Sequence, residues 1–260
     1  MLAHDPVRTR LREALEYSHA GRYLRAARAL WADAWSHARM LNKTEVRGLE
    51  QRGNTCGDWT AIRVLGAGSL AGIRECRFEG HCIVRLSPAT AGAQGGGGRH
   101  TARTGPQLVQ SRIRDCLVGV AVVEAVTLLD RAVVEDGATL RHVDVFAGAP
   151  ASRFCLGLAV HPGSETGARR VFLADGLTLD DCAAMAALPP AEQDALAHEW
   201  TARLRPCVTD HAFAGAGARV EFTRFVEDCF VGPGTVIRGA TALRRCILGS
   251  AGDDPVHVGD

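Results

Sequence analysis

The sequence is poor in lysine, has no long apolar run and contains no closely spaced cysteine pair. Only Lys43 among its 30 basic residues is a lysine, and a formal net charge of +1 gives no bulk attraction to nucleic acid or an anionic membrane. No apolar stretch approaches the roughly 18 residues of a membrane-spanning helix, and residues 1–10 lack a signal-peptide core. These absences predict a soluble cytoplasmic protein with neither nucleic acid nor membrane as partner.

The nine cysteines are scattered and odd in number. Because none has Cys-x-x-Cys spacing, we predict neither a disulfide framework nor a zinc site, and we expect no metal and no cofactor. Four of them lie in similar short stretches that end in glycine: Cys76, Cys116, Cys229 and Cys246. We interpret these as compact hydrophobic residues at the corners of a repeat. Cys229 and Cys246 are 17 positions apart, so we expect them to stack on adjacent coils.

An aliphatic residue recurs every six positions near the C-terminus, at Val231, Ile237 and Leu243. A small or apolar residue follows each by four positions, at Thr235, Thr241 and Ile247. A helix would repeat at about 3.6 residues and a simple strand at about 2, so neither explains the spacing. The pattern is typical of hexapeptide repeats, whose aliphatic side chains fill a three-sided coil. It predicts a mainly β fold, a left-handed parallel β-helix.

A second run of hexads lies in the middle of the chain. Its predicted inward residues are Val122, Leu128, Val134 and Leu140, and the residues four positions later are Val126, Ala132, Ala138 and Asp144. Asp144 breaks the pattern. A charge at this place indicates either the end of the run or a functional departure.

Helical patterns precede and interrupt the repeats. Helices are predicted at 6–19 and 22–41, and Thr44 is expected to cap a third. Thr178 and Asp181 form a capping box, and the helix that follows has Leu196, Trp200 and Leu204 on one face. The predicted organisation is an N-terminal helical segment at 1–52 and a β-helix at 53–260, with a flexible loop at 88–105 and a helical hairpin insertion at 178–205.

Four stretches carry a family resemblance: Glu45–Trp59, Ile73–Gly80, Ser164–Arg170 and the hexads after Phe225. The most specific pieces are G-N-x-x-x-D-W and E-T-G-x-R, with Ala168 where a second glycine is usual. Over residues 43–260 the chain resembles an uncharacterised bacterial left-handed β-helix family, similar to the β-helix domains of sugar-nucleotide pyrophosphorylases and acyltransferases. The resemblance implies this fold and a sugar nucleotide or acyl-CoA as ligand, but no established reaction. Its members are usually longer, so we expect this chain to be the front part of a longer protein.

Two histidines are candidate general bases, since hexapeptide-repeat acyltransferases use a histidine near a trimer interface. His142 precedes Asp144 by two residues, so on a strand both side chains would share a face and the acid could orient the imidazole. The alternative is that His142 is an outward surface residue. His161 lies in an irregular turn and is a candidate substrate-binding residue.

Glu165, Arg169 and Arg170 form a second candidate constellation. Arginine binds phosphate or carboxylate bidentately, and Glu165 could fix it or act as base. We assign Glu165 and Arg169 catalytic roles and Arg170 a substrate-binding role; the alternative is a structural ion pair. Asn54 and Trp59 are further substrate-binding candidates, with a helix cap and a buried anchor as the alternative.

These features predict a transferase-like protein that binds a sugar nucleotide or an acyl donor. Its site would lie in the irregular region 149–170, in a homo-oligomer expected to be a trimer. The alternative is a non-catalytic scaffold that oligomerises through the β-helix. No G-x-G-T-R-x signature occurs in the sequence, which argues against nucleotidyl transfer by this chain.

Overall fold

The structure is a computed structural model that describes residues 9–13, 18, 20–21, 24–25, 33–87, 105–163, 169–249 and 256–259. The chain forms two compact units. Unit 1 comprises residues 1–29 and 151–209, and unit 2 comprises residues 30–150 and 210–260. The domain boundary predicted at residue 52 therefore falls inside unit 2. Residues 88–104 of the predicted flexible loop lie outside the described residues.

Unit 2 is mainly β. The α-helix α1 spans Lys43–Gln51. The strands of unit 2 before the insertion are β1 Arg39–Met40, β2 Thr55–Cys56, β3 Ile62–Leu65, β4 Ile73–Arg74, β5 Arg77–Glu79, β6 Cys82–Arg85, β7 Gln107–Val109, β8 Arg112–Arg114, β9 Leu117–Val118, β10 Val122–Asp130, β11 Ala132–Val134 and β12 Thr139–Ala147. Unit 1 contains β13 Ala159–Val160 and β14 Val171–Phe172. The strands of unit 2 after the insertion are β15 Ala212–Ala214, β16 Arg219–Glu227, β17 Phe230–Val231, β18 Val236–Arg238, β19 Ala242–Arg244, β20 Ile247–Leu248 and β21 His257–Val258.

Parallel pairing in unit 2 follows a sequence period. Val122 of β10 lies opposite Thr139 of β12, 17 positions later, and Arg219 of β16 lies opposite Val236 of β18 at the same spacing. One sheet has the order β1-β3-β6-β9-β11-β15-β17-β20, and a second contains the remaining strands of the unit. Only β1 runs antiparallel, to β3, among the pairs described in these two sheets.

The three longest strands bend in the middle. Ala125, His142 and Phe222 have φ values of 53°, 51° and 52° there, a left-handed conformation that turns the backbone. The first half of β10 pairs with β7 and its second half with β8. Each full repeat therefore contributes three short strand segments, the third of them to the sheet that contains β11.

Apolar side chains fill the inside of the stacked repeats. Val134, Leu140, Val231 and Ile237 are all 0 % exposed, which confirms their predicted inward positions. The buried core of the central repeats includes Val118, Val123, Val126, Leu129, Ala132, Val143, Phe146, Ala214, Val220 and Val226.

One predicted inward position is wrong by one residue. Leu128 is only half-buried, whereas Leu129 is fully buried. Asp144, the charged residue four positions after Leu140, is half-exposed, and Val143 beside it is buried. The reason is that β12 follows β10 by 17 residues in the pairing register, whereas three hexads would need 18. One segment of this repeat is therefore one residue shorter, and the phase of the inward residues shifts.

The segment before the first repeats differs from the prediction. Residues 33–37 are helical, but Arg39–Met40 is a strand, so the helix predicted to reach residue 41 ends earlier. The next helix, α1, is capped by Asn42 rather than Thr44. Asn42 accepts a hydrogen bond from the backbone N–H of Glu45, and the Glu45 carboxylate accepts one from the backbone N–H of Asn42. This reciprocal pair satisfies two backbone donors at the helix start.

Unit 1 contains the two helices of the predicted hairpin, α2 Leu179–Ala187 and α3 Pro190–Leu204, and the antiparallel strands β13 Ala159–Val160 and β14 Val171–Phe172. The capping box of Thr178 and Asp181 is confirmed. Leu196, Trp200 and Leu204 are buried, as their helical spacing predicts. Within the described part of the chain, no helix is both long and apolar enough to cross a membrane.

Candidate functional site

His142 and Asp144 do not form the predicted acid–base pair among the described contacts. His142 occupies a left-handed corner with φ 51°, which breaks the alternation that would put both side chains on one face. Its ring stacks on Phe222, with centroids 5.1 Å apart and an interplanar angle of 10°. Asp144 instead lies 3.3 Å from Nε of Arg224. The outward-surface alternative describes His142 better.

The second predicted constellation is only partly described. Glu165 lies outside the described residues, so its catalytic role stays a prediction. Arg169 and His161 are exposed. Arg170 donates from Nε to Oε1 of Gln193 at 3.1 Å and from Nη2 to Oδ1 of Asp194 at 2.5 Å. These contacts tie Arg170 to α3. An ion pair between Glu165 and an arginine of this constellation stays a prediction.

Asn54 and Trp59 have structural contacts as well. The Asn54 amide is buried and donates to the carbonyls of Leu49 and Ile73, at 2.8 and 3.0 Å, while its oxygen accepts from the backbone N–H of Cys76 at 2.9 Å. The Trp59 indole donates to Oε1 of Glu50 at 3.0 Å. Asn54 therefore joins the end of α1 to the first repeats, and its predicted substrate-binding role is not favoured.

A cleft in unit 2 brings together side chains that can carry chemistry. Its volume is ≈ 470 Å³, and it is lined by Trp35, His81, Asp115, Arg131, Asp210 and His211. Two imidazoles, two carboxylates, one guanidinium and one indole thus share one space. Such a collection of titratable groups in a cleft is the usual setting of a binding or catalytic site.

The repeats themselves place these residues together. His81 and Arg131 come directly before β6 and β11, and Asp115 comes two residues before β9. The register puts these three strands side by side and gives the three residues equivalent positions. Oδ1 of Asp115 accepts a hydrogen bond from the backbone N–H of His81 at 2.8 Å. His211 precedes β15, the next strand of that sheet. One corner of four successive repeats therefore supplies the polar wall.

Arg131 is held in place by its neighbours. Its Nη2 donates to the carbonyl of Gly148 at 3.0 Å and lies 3.3 Å from Oδ2 of Asp130. Its Nε is buried and has no hydrogen-bond partner among the described residues. A buried unpaired donor is uncommon in a folded protein. The Arg131 side chain as a whole remains 34 % exposed.

Burial lowers the pKa of His211 from its ordinary value of 6.5, while the nearby charges of Asp210 and Asp115 act in the opposite direction. The imidazole is therefore neutral at pH 7 and can accept a proton. Two aromatic side chains of the cleft contact each other: the Trp35 and His81 rings meet edge to face, with centroids 5.1 Å apart. The Arg63 guanidinium lies 4.3 Å above the Trp35 ring.

The cleft can support proton transfer and anion binding by its side chains alone. A neutral histidine beside carboxylates can act as general base, and an arginine can stabilise developing negative charge. Among the described residues, no three His, Cys, Asp or Glu side chains are grouped closely enough to hold a metal ion.

Residues 38–260 match a protein family described as a domain of unknown function, DUF4954. The chain belongs to the DUF4954 family. No curated protein and no solved structure shows significant similarity to it. The description of DUF4954 names no ligand and no reaction, so the functional argument depends on the geometry of the cleft.

Only weak signals for this site are present in the sequence. None of the cleft residues is among the site residues assigned from the sequence, because they are spread from Trp35 to His211 and form no local motif. One signal was available: the residues before Cys82, Cys116 and Ala132 occupy equivalent positions in the repeat. Polar side chains that recur at one position of a stacked repeat lie on one edge of the molecule.

Proposed function

We propose that the stacked repeats of this DUF4954 protein form a left-handed parallel β-helix. The proposal is supported by the 17-residue register, by three strand segments per repeat and by the buried ladder that contains Val134, Leu140, Val231 and Ile237. Hexapeptide spacing in the sequence is typical of this fold. Cytoplasmic location is part of the same proposal.

The proposed function is that of a transferase-like protein that binds a sugar nucleotide or an acyl donor in the cleft. The observation that carries it is the half-buried His211 beside Arg131, Asp115 and Asp210. In an acyl transfer, His211 would take the proton from an acceptor hydroxyl or amine as the new bond to the acyl carbon forms. The thioester bond then breaks, and the proton passes to the leaving thiolate. Arg131 would bind an anionic group of the donor.

A non-catalytic scaffold is the second candidate. It is favoured by two hydrogen bonds to the backbone of unit 2. Asp115 accepts one from the N–H of His81, and Arg131 donates one to the carbonyl of Gly148. In that case the polar corner stabilises the stack, and the protein acts through oligomers, which we propose to be trimers.

The test is ligand binding to the wild type, to His211→Gln, to His142→Gln and to His257→Gln. A thermal-shift and calorimetric screen would use UDP-sugars and acetyl-CoA. We expect a specific ligand for the wild type. Turnover of that ligand should be at least tenfold lower with His211→Gln and unchanged with His257→Gln, which alters an exposed histidine outside the cleft. Loss with His142→Gln alone would favour the sequence-based assignment. If no ligand binds and the protein forms well-defined oligomers, the scaffold is favoured.

A further inference from the structure

One corner of the repeats forms a continuous column of left-handed residues in unit 2. Strand pairing places each member opposite the next: Glu75, Gln110, Ala125, His142, Phe222 and Gly239. Their φ values run from 49° to 72°. This conformation is the regular geometry of the corner, so it aims each side chain outward rather than marking local strain.

Within this column, His142 and Phe222 form a stacked aromatic pair at the surface. Their ring centroids are 5.1 Å apart and their planes differ by 10°. Phe222 is 59 % exposed although it is a large apolar residue. Neither the left-handed backbone, which favours Gly, Asn and Asp, nor burial explains a phenylalanine here. An exposed aromatic ring at such a place is suited to ligand contact.

Among the described residues, the stack has an open position next to Phe222. The pairing of Glu221 with Arg238 places Gly239 beside Phe222 in the following repeat. A Cβ built on Gly239 would meet no described atom within 4 Å. Because neighbouring strands lie about 4.8 Å apart, the space over Gly239 is one aromatic stacking distance from Phe222. A planar ring from a ligand could continue the stack there.

The charges around the open position favour an anion attached to that ring. Glu221 is shared by two arginines, with Arg238 Nη2 at 2.7 Å and Arg219 Nη2 at 3.1 Å. Two positive charges facing one carboxylate leave one positive charge uncompensated in this group. Hydrogen bonding by Arg238, followed by the Arg219 contact, lowers the pKa of Glu221, so the carboxylate stays ionised. Half of the Arg238 side chain remains exposed, at 51 %.

We propose that Phe222 and the open corner at Gly239 form a stacking site for the base of a nucleotide, with Arg238 close to its phosphate. The ring would stack on the outer face of Phe222, and His142 would support the inner face. This proposal goes beyond the cleft and does not rest on the transferase function, because its residues belong to a different corner of the repeats.

The test uses AMP as probe and ribose 5-phosphate as the control that lacks a base, titrated into the full chain. Calorimetry gives the affinity, and upfield shifts of the adenine protons by NMR report stacking on a ring. Phe222→Leu keeps an apolar side chain but removes the ring. Gly239→His fills the open position with a residue that His142 shows to be accepted in this conformation. Base–aromatic stacking is strong enough that each change should weaken AMP binding by about tenfold or more.

Gly217→His is the matched control. Gly217 also has a positive φ, at 68°, and a Cβ there would meet no described atom within 4 Å, but it is outside this column. We expect Gly217→His to bind AMP as the wild type does. The proposal is overturned if the wild type shows no AMP binding at millimolar concentration, or if Phe222→Leu binds normally. It is also overturned if ribose 5-phosphate binds as well as AMP, or if Phe222→Leu alters only self-association. Loss of AMP binding with His211→Gln alone would place the nucleotide in the cleft.

Discussion

At the scale of single residues, the interior cysteines and His211 show what burial does to titratable groups. Burial raises the pKa of Cys76 to about 11 and that of Cys82 to about 12. These thiols therefore stay protonated at neutral pH and behave as compact hydrophobic residues, as their sequence context predicts. Cys229 and Cys246 occupy adjacent repeats, since Phe230 pairs with Ile247, and this confirms their expected stacking.

His211 should make the stability of the protein depend on pH. Because burial lowers its pKa in the folded state below 6.5, the native protein binds fewer protons than the unfolded chain. The free energy of unfolding must therefore fall as the pH drops through and below 6.5, by at most about 1.4 kcal/mol per pH unit and by less for a half-buried ring. His211→Gln should reduce this dependence, as measured by urea unfolding at pH 5, 6 and 7.

The exposed His257 provides the control for this measurement. His257→Gln should keep the wild-type dependence on pH. Equal slopes for the wild type and His211→Gln would show that His211 is not responsible.

At the scale of elements, the sequence predicted the aliphatic ladder and the helical hairpin because both depend on local spacing. Ile237 and Val231 are inward because the hexad repeats near them without interruption. The slip to Leu129 was not predictable in the same way, because the shorter segment of this repeat appears only when the strands are paired. The cleft was not predicted from the sequence, for a related reason. Its residues meet through register, and His211 returns to the repeats only after the chain has passed through the insertion.

Gly148 lies where the chain leaves the repeats, close to the point at which it re-enters them. A Cβ on Gly148, directly after β12, would lie 2.2 Å from the carbonyl oxygen of Asp210 and 2.6 Å from that of Arg131. Both are backbone atoms that cannot move aside easily. We expect Gly148→Ala to lower the free energy of unfolding by about 1–3 kcal/mol, the range for overpacking. Gly57→Ala is the control, because a Cβ there meets no described atom within 4 Å. Chemical denaturation of both variants measures the difference, and equal stabilities would contradict the close approach.

At the scale of the whole molecule, most of unit 1 is an insertion in the sequence of unit 2. Residues 151–209 interrupt unit 2 between β12 and β15. Ser152 and Thr209, at the two ends of the insertion, exchange backbone hydrogen bonds of 2.8 and 2.9 Å. The insertion therefore begins and ends at neighbouring points. β12 pairs with β16 and β11 with β15 in the same parallel pattern as the uninterrupted repeats, so the ladder continues across the interruption.

This arrangement predicts that unit 2 folds without the insertion. A variant that lacks residues 1–29 and joins Pro150 to Asp210 through a short Gly-Ser linker keeps every strand pair of the two large sheets. Short loop closure between neighbouring ends has a small entropic cost, so we expect β-type circular dichroism and one cooperative thermal transition. A second variant that lacks Thr139–Ala147 removes β12 from between β10 and β16 and should not fold. If the variant without the insertion is unfolded, unit 2 does not fold autonomously. If the variant without β12 folds, the ladder of parallel strands is not what stabilises unit 2.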